Sequence, residues 1–109
     1  NNLVEVIGFP SMTINLKEET VASVNSNWTE QIGFSEILHL PLADIADSLL
    51  REHLLNLVEQ GKSQPEEIVF GEICLNQINL QSTCQFVVDQ DSPAYAIITF
   101  MPAEMEGVA

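Results

Sequence analysis

What most constrains the fold is a change of hydrophobic periodicity in the second half of the chain. Apolar residues at helical spacing predict one long helix that begins at Asp47 or Ser48 and ends at Gly61. The buried stripe of this helix consists of Leu50, Leu54, Leu57 and Val58. The pattern then becomes that of three β-strands, Ile68–Leu75, Leu80–Asp89 and Ala94–Met101. Consecutive strands joined by polar turns predict an antiparallel sheet, because a parallel pair needs a long crossover.

The first half of the chain adds two shorter strands and short helices. Strand patterns at Ser11–Leu16 and Val21–Val24 are followed by Asn25, Ser26 and Asn27, whose side chains suit the N-cap of a short helix that Gly33 ends. Pro41 then interrupts the chain before the long helix. This order of elements predicts an α+β domain in which the helices lie on one side of an antiparallel sheet.

The closing strands are apolar on both faces, whereas a sheet with one solvated face alternates apolar and polar residues. In the first of these strands the two sets are Ile68, Phe70 and Cys74 on one face against Val69, Ile73 and Leu75 on the other. We therefore expect the second face to be covered. The candidates are another subunit or the N-terminal segment, through Leu3, Val4 and Ile7.

Charge and composition limit the binding partners and the cellular location that the sequence predicts. The 109-residue chain carries 16 Asp and Glu side chains against three Lys and Arg, a net charge of −13. Nucleic acids and anionic membranes are bound by clustered cations, so neither is expected as a partner. A hydrophobic content of 46% fits one folded domain rather than a disordered acidic tail. No apolar run approaches the roughly 20 residues of a membrane helix, and no secretory leader is present, which predicts a cytoplasmic protein.

The motifs of the first half, taken in order, resemble the opening of a PAS domain. Residues 21–35 are similar to the family's signature of a strand ending in Asn, an aromatic residue in a short helix and a closing Gly-aromatic-Ser. The matching positions are Asn25, Trp28, Gly33 and Phe34. The LPLADI segment at 40–45, the long helix and the three closing strands are similar to the elements that follow in the family.

The resemblance implies a PAS-like five-stranded antiparallel sheet, with short helices and one longer helix on one face, over residues 11–102. Residues 1–10 would form an N-terminal cap or linker, and residues 103–109 a C-terminal linker. PAS domains are ligand-sensing and dimerising modules, often joined to histidine kinases of two-component signalling or to diguanylate cyclases of cyclic-di-GMP signalling. The resemblance thus implies a non-catalytic, homodimeric sensory module with a linked effector domain. The chain departs from many members at residues 100–104, where FMPAE replaces their Asp-Ile-Thr element.

A PAS-like domain would hold a small ligand between its helices and its sheet. The residues predicted to line this space are Trp28, Ile32, Phe34, Leu50, His53, Leu54, Phe70 and Phe86. The alternative for the same residues is a filled core, because protein interiors are close-packed. Lys17 and Arg51 are the only plausible cationic anchors for a carboxylate ligand.

His53 lies on the long helix, where haem-binding relatives carry an iron ligand. That ligand sits about one turn earlier relative to the closing glycine, a place that Leu50 occupies here. We interpret His53 as a partly solvated residue at the border of the leucine stripe, with a haem sensor as the alternative, and His39 as a loop residue. The family's flavin photoreceptors need a cysteine before the long helix, and its absence here argues against a flavin–cysteinyl adduct. The cofactor stays unknown, and no metal site is predicted.

Two cysteines fall in the first two closing strands. Cys74 and Cys84 could face each other across a hairpin, where a cross-strand disulfide would act as a redox switch. The interpretation that we favour is two small core hydrophobes, which is how free cysteines usually behave.

A different class of function is a small α+β enzyme with a cone-shaped pocket, of the isomerase or dehydratase kind. Such an enzyme needs an acidic base inside an apolar cavity, where burial tunes its pKa. Asp44 is the candidate base because apolar residues flank it closely, and the capping of a turn is its favoured interpretation.

Overall fold

A computed structural model describes residues 8–33, 37–75, 77–90 and 92–102. Its elements in chain order are β1 (Ser11–Asn15), β2 (Thr20–Val24), α1 (Ser26–Gln31), a 3-10 helix (Leu42–Asp44), α2 (Ser48–Ser63), β3 (Val69–Leu75), β4 (Ile78–Asp89) and β5 (Ser92–Pro102). Each predicted strand corresponds to one of these strands within two residues at either end. The predicted α+β architecture with a five-stranded antiparallel sheet is confirmed.

The strand order in the sheet is β2-β1-β5-β4-β3, and every neighbouring pair is antiparallel. The last strand of the chain is therefore the central one. It pairs with β1 from Ser11 opposite Thr99 to Asn15 opposite Tyr95. Because β5 has a neighbour on both sides, its helix-facing residues are fully buried, and these are Ala96, Ile98 and Phe100.

Asn25 caps the first helix and also joins it to the first strand. Its side-chain Oδ1 accepts the N–H of Trp28 at 2.9 Å, which caps α1, and also the N–H of Ser11 at 3.0 Å. Its Nδ2 donates to the carbonyl of Phe9 at 2.8 Å. One buried amide thus fixes the start of α1 against the start of β1. At the other end of α1, Gly33 takes a φ of +92°, which terminates the helix as predicted.

Helix α2 begins as predicted and ends later than predicted. The side chain of Asp47 accepts the N–H of Leu50 at 2.9 Å and caps the first turn. The prediction that Gly61 ends the helix is wrong, because α2 continues to Ser63 and Gly61 is a buried helical residue. Its lack of a side chain makes room for a ring instead, since a Cβ there would lie 2.5 Å from Cε1 and Cζ of Phe86.

The two faces of the sheet differ sharply in exposure. Helix α2 packs on β3 and β4 and covers the inner face. Buried inner-face residues of these strands are Val69, Ile73, Leu75, Leu80, Ser82, Cys84 and Phe86. The strand pleat places alternate residues on the outer face, and exposed apolar residues there and at the strand ends are Ile68, Phe70, Val87, Val88 and Tyr95. The predicted cover through Leu3, Val4 and Ile7 lies outside the described residues.

Candidate ligand-binding site

One row of the sheet places two small inner-face residues side by side. Gly71 of β3 lies opposite Ser82 of β4, and Ser82 lies opposite Phe100 of β5. Leu, Ile, Val, Cys or Phe occupies the inner-face positions on either side of this row along β3 and β4. Gly71 and Ser82 therefore leave a shallow bay in the floor of an otherwise apolar layer.

The imidazole of His53 fills this bay from above. Its Nε2 lies 2.7 Å from Oγ of Ser82, a hydrogen bond between α2 and β4. A Cβ at Gly71 would stand 3.0 Å from Cε1 of the same ring, so the ring lies directly on the glycine backbone. The His53 and Phe100 ring centroids are 6.3 Å apart. His53 thus makes a polar contact between the long helix and the sheet, and it is half-buried at the border of the leucine stripe, as predicted.

Burial controls the charge of this histidine. Removing the ring from water lowers the pKa of His53 below its ordinary value of 6.5, because burial disfavours the imidazolium form. The groups that the structure places against the ring from neighbouring elements are Gly71, Ser82 and Phe100, none of which ionises in the physiological range. On α2 itself, Arg51 donates to the carbonyl of Ile45 at 2.9 Å, and Glu52 is exposed. Burial therefore favours the neutral imidazole over the imidazolium form.

Phe100 was missed by the sequence analysis and joins two of the predicted residues. Its ring lies 5.2 Å from that of Trp28, in a tilted arrangement, and it also faces His53. Ser82 and Gly71 were missed as well. A signal for Ser82 existed in the sequence, because it is the one polar residue in the alternating series Leu80, Ser82, Cys84 and Phe86.

Most of the other predicted ligand-binding residues belong to the same buried cluster. The structure places Ile32, Leu50, Leu54 and Phe86 in the core with Trp28. Phe86 is remote from the bay, because it packs on Gly61, which lies about 12 Å along α2 from His53 at 1.5 Å per residue. Phe34 lies outside the described residues.

The predicted placement of Phe70 between the helices and the sheet is wrong. Its side chain is 63% exposed. Gly71 faces His53 and Leu57 of α2, so its neighbour Phe70 must point to the opposite face, since successive residues of a strand alternate. Phe70 is therefore an outer-face residue.

The cysteines do not form the pair that a redox switch requires. Cys74 lies opposite Asn79 and is exposed, whereas Cys84 lies opposite Val69 and is buried on the inner face. The two thiols are thus on different faces of the sheet, and neither cysteine is paired with the other across the strands. The predicted cross-strand contact is wrong. The interpretation as core hydrophobes holds for Cys84, whose burial raises the pKa of its thiol to about 12, and fails for Cys74.

Asp44 does not have the surroundings of a catalytic base. It lies in the 3-10 helix and is exposed to solvent. Its N–H donates to the carbonyl of Pro41 at 2.9 Å, which is the bond of a turn. The catalytic carboxyl of such an enzyme lies buried among apolar side chains, and Asp44 lacks these surroundings. His39 is an exposed loop residue, as predicted.

An open groove of about 710 Å³ lies at the end of the sheet, away from the bay. Lys17 and Lys62 line it together with Asp89 and Tyr95. Lys62 Nζ is already paired with a carboxylate oxygen of Glu19 at 2.6 Å, and Asp89 places a negative charge in the same groove. The groove therefore carries charges of both signs and does not favour an ionic ligand of either sign.

Across the described ranges, no three His, Cys, Asp or Glu side chains form a group that could hold a metal ion. No helix in those ranges is long and apolar enough to span a bilayer.

No protein-family model matches the chain, and the comparison with curated proteins gives no match. Solved structures do match. The PAS domain of BvgS from Bordetella pertussis has a TM-score of 0.71 at 13% identity, covering 97% of this chain and 86% of that one. A sensory box sensor histidine kinase from Vibrio cholerae has a TM-score of 0.69 at 9% identity, over 93% and 83%. The PAS domain of an HTR-like protein from Haloarcula marismortui has a TM-score of 0.67 at 11% identity, over 93% and 86%.

Proposed function

We propose that this chain, which has the PAS fold, is a non-catalytic sensory and dimerisation module of a cytoplasmic signal-transduction protein. The carrying observation is the fold itself, shared with sensory domains that include one from a sensor histidine kinase. We infer a linked effector of the histidine kinase or diguanylate cyclase type. Two free cysteines that are far apart suit the reducing cytoplasm.

The outer face of the sheet supports the dimerisation part of the proposal. On this face Phe70 of β3 is 63% exposed and Tyr95 of β5 is 43% exposed, and Ile97, two residues from Tyr95 on the same strand, is half-buried. Monomeric proteins rarely expose clustered apolar side chains without a partner. We propose that Leu3, Val4 and Ile7 cover this face and contribute to a homodimer.

Light scattering of the purified protein tests the dimer. Phe70→Glu places a charge on the outer face and should convert a dimer to a monomer. Leu49→Glu is the matched control, since Leu49 is 55% exposed on α2, which packs on the inner face of the sheet. A chain that begins at Gly8 should also lose the dimer. Dimers that survive both Phe70→Glu and this truncation would contradict the proposed interface.

The sensory part of the proposal places a small ligand between the helices and the sheet. Trp28, Ile32 and Leu50 would supply apolar walls, together with Leu54, and His53 the polar contact. A ligand that prefers one packing of the sheet and the N-terminal segment would shift the population toward that packing and so bias the effector.

Native purification tests this part. The absorption spectrum and mass spectrometry of whatever denaturation releases should reveal a stoichiometric small molecule. An empty protein that also binds nothing from a metabolite extract would refute the ligand-sensing role and leave dimerisation as the function.

A further inference from the structure

The two edges of the sheet differ in whether their backbone groups have partners. The edge formed by β2 is covered by residues 39–42, because Val21 donates its N–H to the carbonyl of Leu40 at 3.0 Å and accepts the N–H of His39 at 2.8 Å. A register shift also interrupts the pairing of β2 with β1. Strand β3 forms the other edge, and across the described residues it pairs with β4 alone.

Strand β3 lacks the features that ordinarily block an open edge. Such edges carry a proline, a lysine, an inward-pointing charge or a bulge, each of which hinders the addition of another strand. Strand β3 has the sequence VFGEICL, without proline or lysine, and its register with β4 runs without a shift from Val69 opposite Cys84 to Leu75 opposite Ile78. Its one charged residue, Glu72, is exposed rather than turned inward. An apolar strand thus presents a regular row of unpaired N–H and C=O groups.

The charges around β3 indicate what would pair with it. Glu72 lies within the strand, and Glu66 and Glu67 lie in the turn that leads into it. Of the chain's three cations, Lys62 pairs with a glutamate of the β1–β2 turn, Arg51 donates to a backbone carbonyl, and the third lies in the β1–β2 turn. Opposite charges stabilise a cross-strand pair and like charges destabilise it. A strand that adds to β3 should therefore carry Lys or Arg.

The same argument disfavours occupants that come from this protein. A second copy would bring its own three carboxylates and a net charge of −13 to the edge. The parts of the chain outside the described ranges include residues 1–7, 34–36 and 103–109, and each of these segments carries Glu and no Lys or Arg. Charge complementarity therefore favours a basic segment of another protein.

We propose that β3 is a docking edge for an extended segment of another protein, which alternates apolar with basic residues and adds to the sheet as a sixth strand. Its basic side chains would lie on the outer face beside Glu72, where an open groove of about 350 Å³ leaves room for them. Phe70 on the same face suits the aliphatic part of a Lys or Arg side chain. The apolar side chains would continue the buried layer of Val69 and Ile73. This surface is separate from the proposed dimer interface, which uses the outer face and not the edge.

The probe is a peptide as long as β3 in which valine alternates with lysine. Amide hydrogen exchange of the complete chain, read residue by residue by NMR, should slow at alternate residues of β3 when this peptide is added, because their outward N–H groups gain partners. The amides of β2, whose edge is already covered, are the internal control and should not change. Exchange that slows nowhere in β3, or equally in both edge strands, would overturn the proposal.

Two comparisons separate strand addition from plain attraction between a cationic peptide and an acidic protein. The same peptide with every backbone nitrogen methylated keeps its charge but cannot donate hydrogen bonds, and equal binding by this peptide would overturn strand addition. Glu72→Lys should weaken binding of the lysine peptide about fivefold. Glu18→Lys makes the same change of charge at an exposed residue of the β1–β2 turn and should leave binding unchanged. Equal weakening by both substitutions would refute recognition through Glu72.

Hydrogen exchange of the protein without peptide tests the occupants that this protein itself could supply. The outward amides of β3 should exchange rapidly at every protein concentration. Protection that appears only as the concentration rises would assign the edge to a second copy. Protection at every concentration would assign it to another segment of this chain, and either result would overturn the proposal.

Discussion

Replacing Gly61 with alanine should destabilise the protein, against the usual effect of this substitution within a helix. Alanine ordinarily stabilises a helix by about 1 kcal/mol relative to glycine. A Cβ at Gly61 would stand 2.5 Å from two atoms of the Phe86 ring, which is itself buried. Forcing a packed side chain aside costs about 1–3 kcal/mol. The clash outweighs the helix propensity, and we expect a net loss of about 1 kcal/mol in the free energy of unfolding.

Urea unfolding followed by the fluorescence of Trp28, the single tryptophan, measures this loss. The matched background is Phe86→Leu, because leucine lacks the Cε1 and Cζ atoms that clash. In that background Gly61→Ala should become stabilising by up to about 1 kcal/mol, since only the helix propensity remains. A Gly61→Ala protein more stable than its parent with Phe86 intact, or an equal effect in both backgrounds, would refute the packing argument.

Three further predictions follow from buried polar groups. Burial lowers the pKa of His53 in the folded protein below 6.5, so on acidification the imidazole of the unfolded chain is protonated before that of the folded protein. The free energy of unfolding should therefore fall as the pH falls from about 6.5 through the folded-state pKa. Unfolding free energies measured against pH should show this slope disappear in His53→Gln and persist in His39→Gln. Asn25→Ala should lower the free energy of unfolding, measured by urea titration, by about 3 kcal/mol, because it removes the cap of α1 and the partner of the buried Ser11 N–H. A loss below about 1 kcal/mol would contradict this prediction. A thiol reagent should label Cys74 in the native protein and Cys84 only after unfolding, since the buried thiol has a pKa of about 12; equally fast labelling of both would contradict the predicted faces.

The elements of this fold were predictable because their signals are local. Asn25 and Asp47 act as N-caps through bonds to backbone groups only three residues away, which a short stretch of sequence reveals. The strands follow from alternation and composition over about ten residues. The strand order does not, because β5 pairs with β1 across 80 to 88 residues of chain, and nothing in the sequence of either strand identifies its partner.

The errors share one physical origin, which is contact between elements distant in sequence. Glycine near a helix end ordinarily marks the C-terminus, and only the position of Phe86 on β4 shows that Gly61 serves packing instead. Alternation separates Phe70 from Gly71 correctly but does not say which of them faces a helix. The bay escaped notice for the same reason, since Ser82 and His53 are 29 residues apart and meet only once the register of β3 and β4 is known.

The contacts of Phe100 suggest how a change of packing between the helices and the sheet would reach the rest of the protein. Phe100, which flanks His53, donates its backbone N–H to the carbonyl of Pro10 at 2.8 Å. Trp28, which packs on Phe100, begins a second route through Asn25 to Phe9. Both routes end at residues 9–10, directly after the segment proposed to cover the outer face. A change in the packing around Phe100 is therefore expected to reach residues 8–11 first on its way from the inner face of the sheet to the outer one.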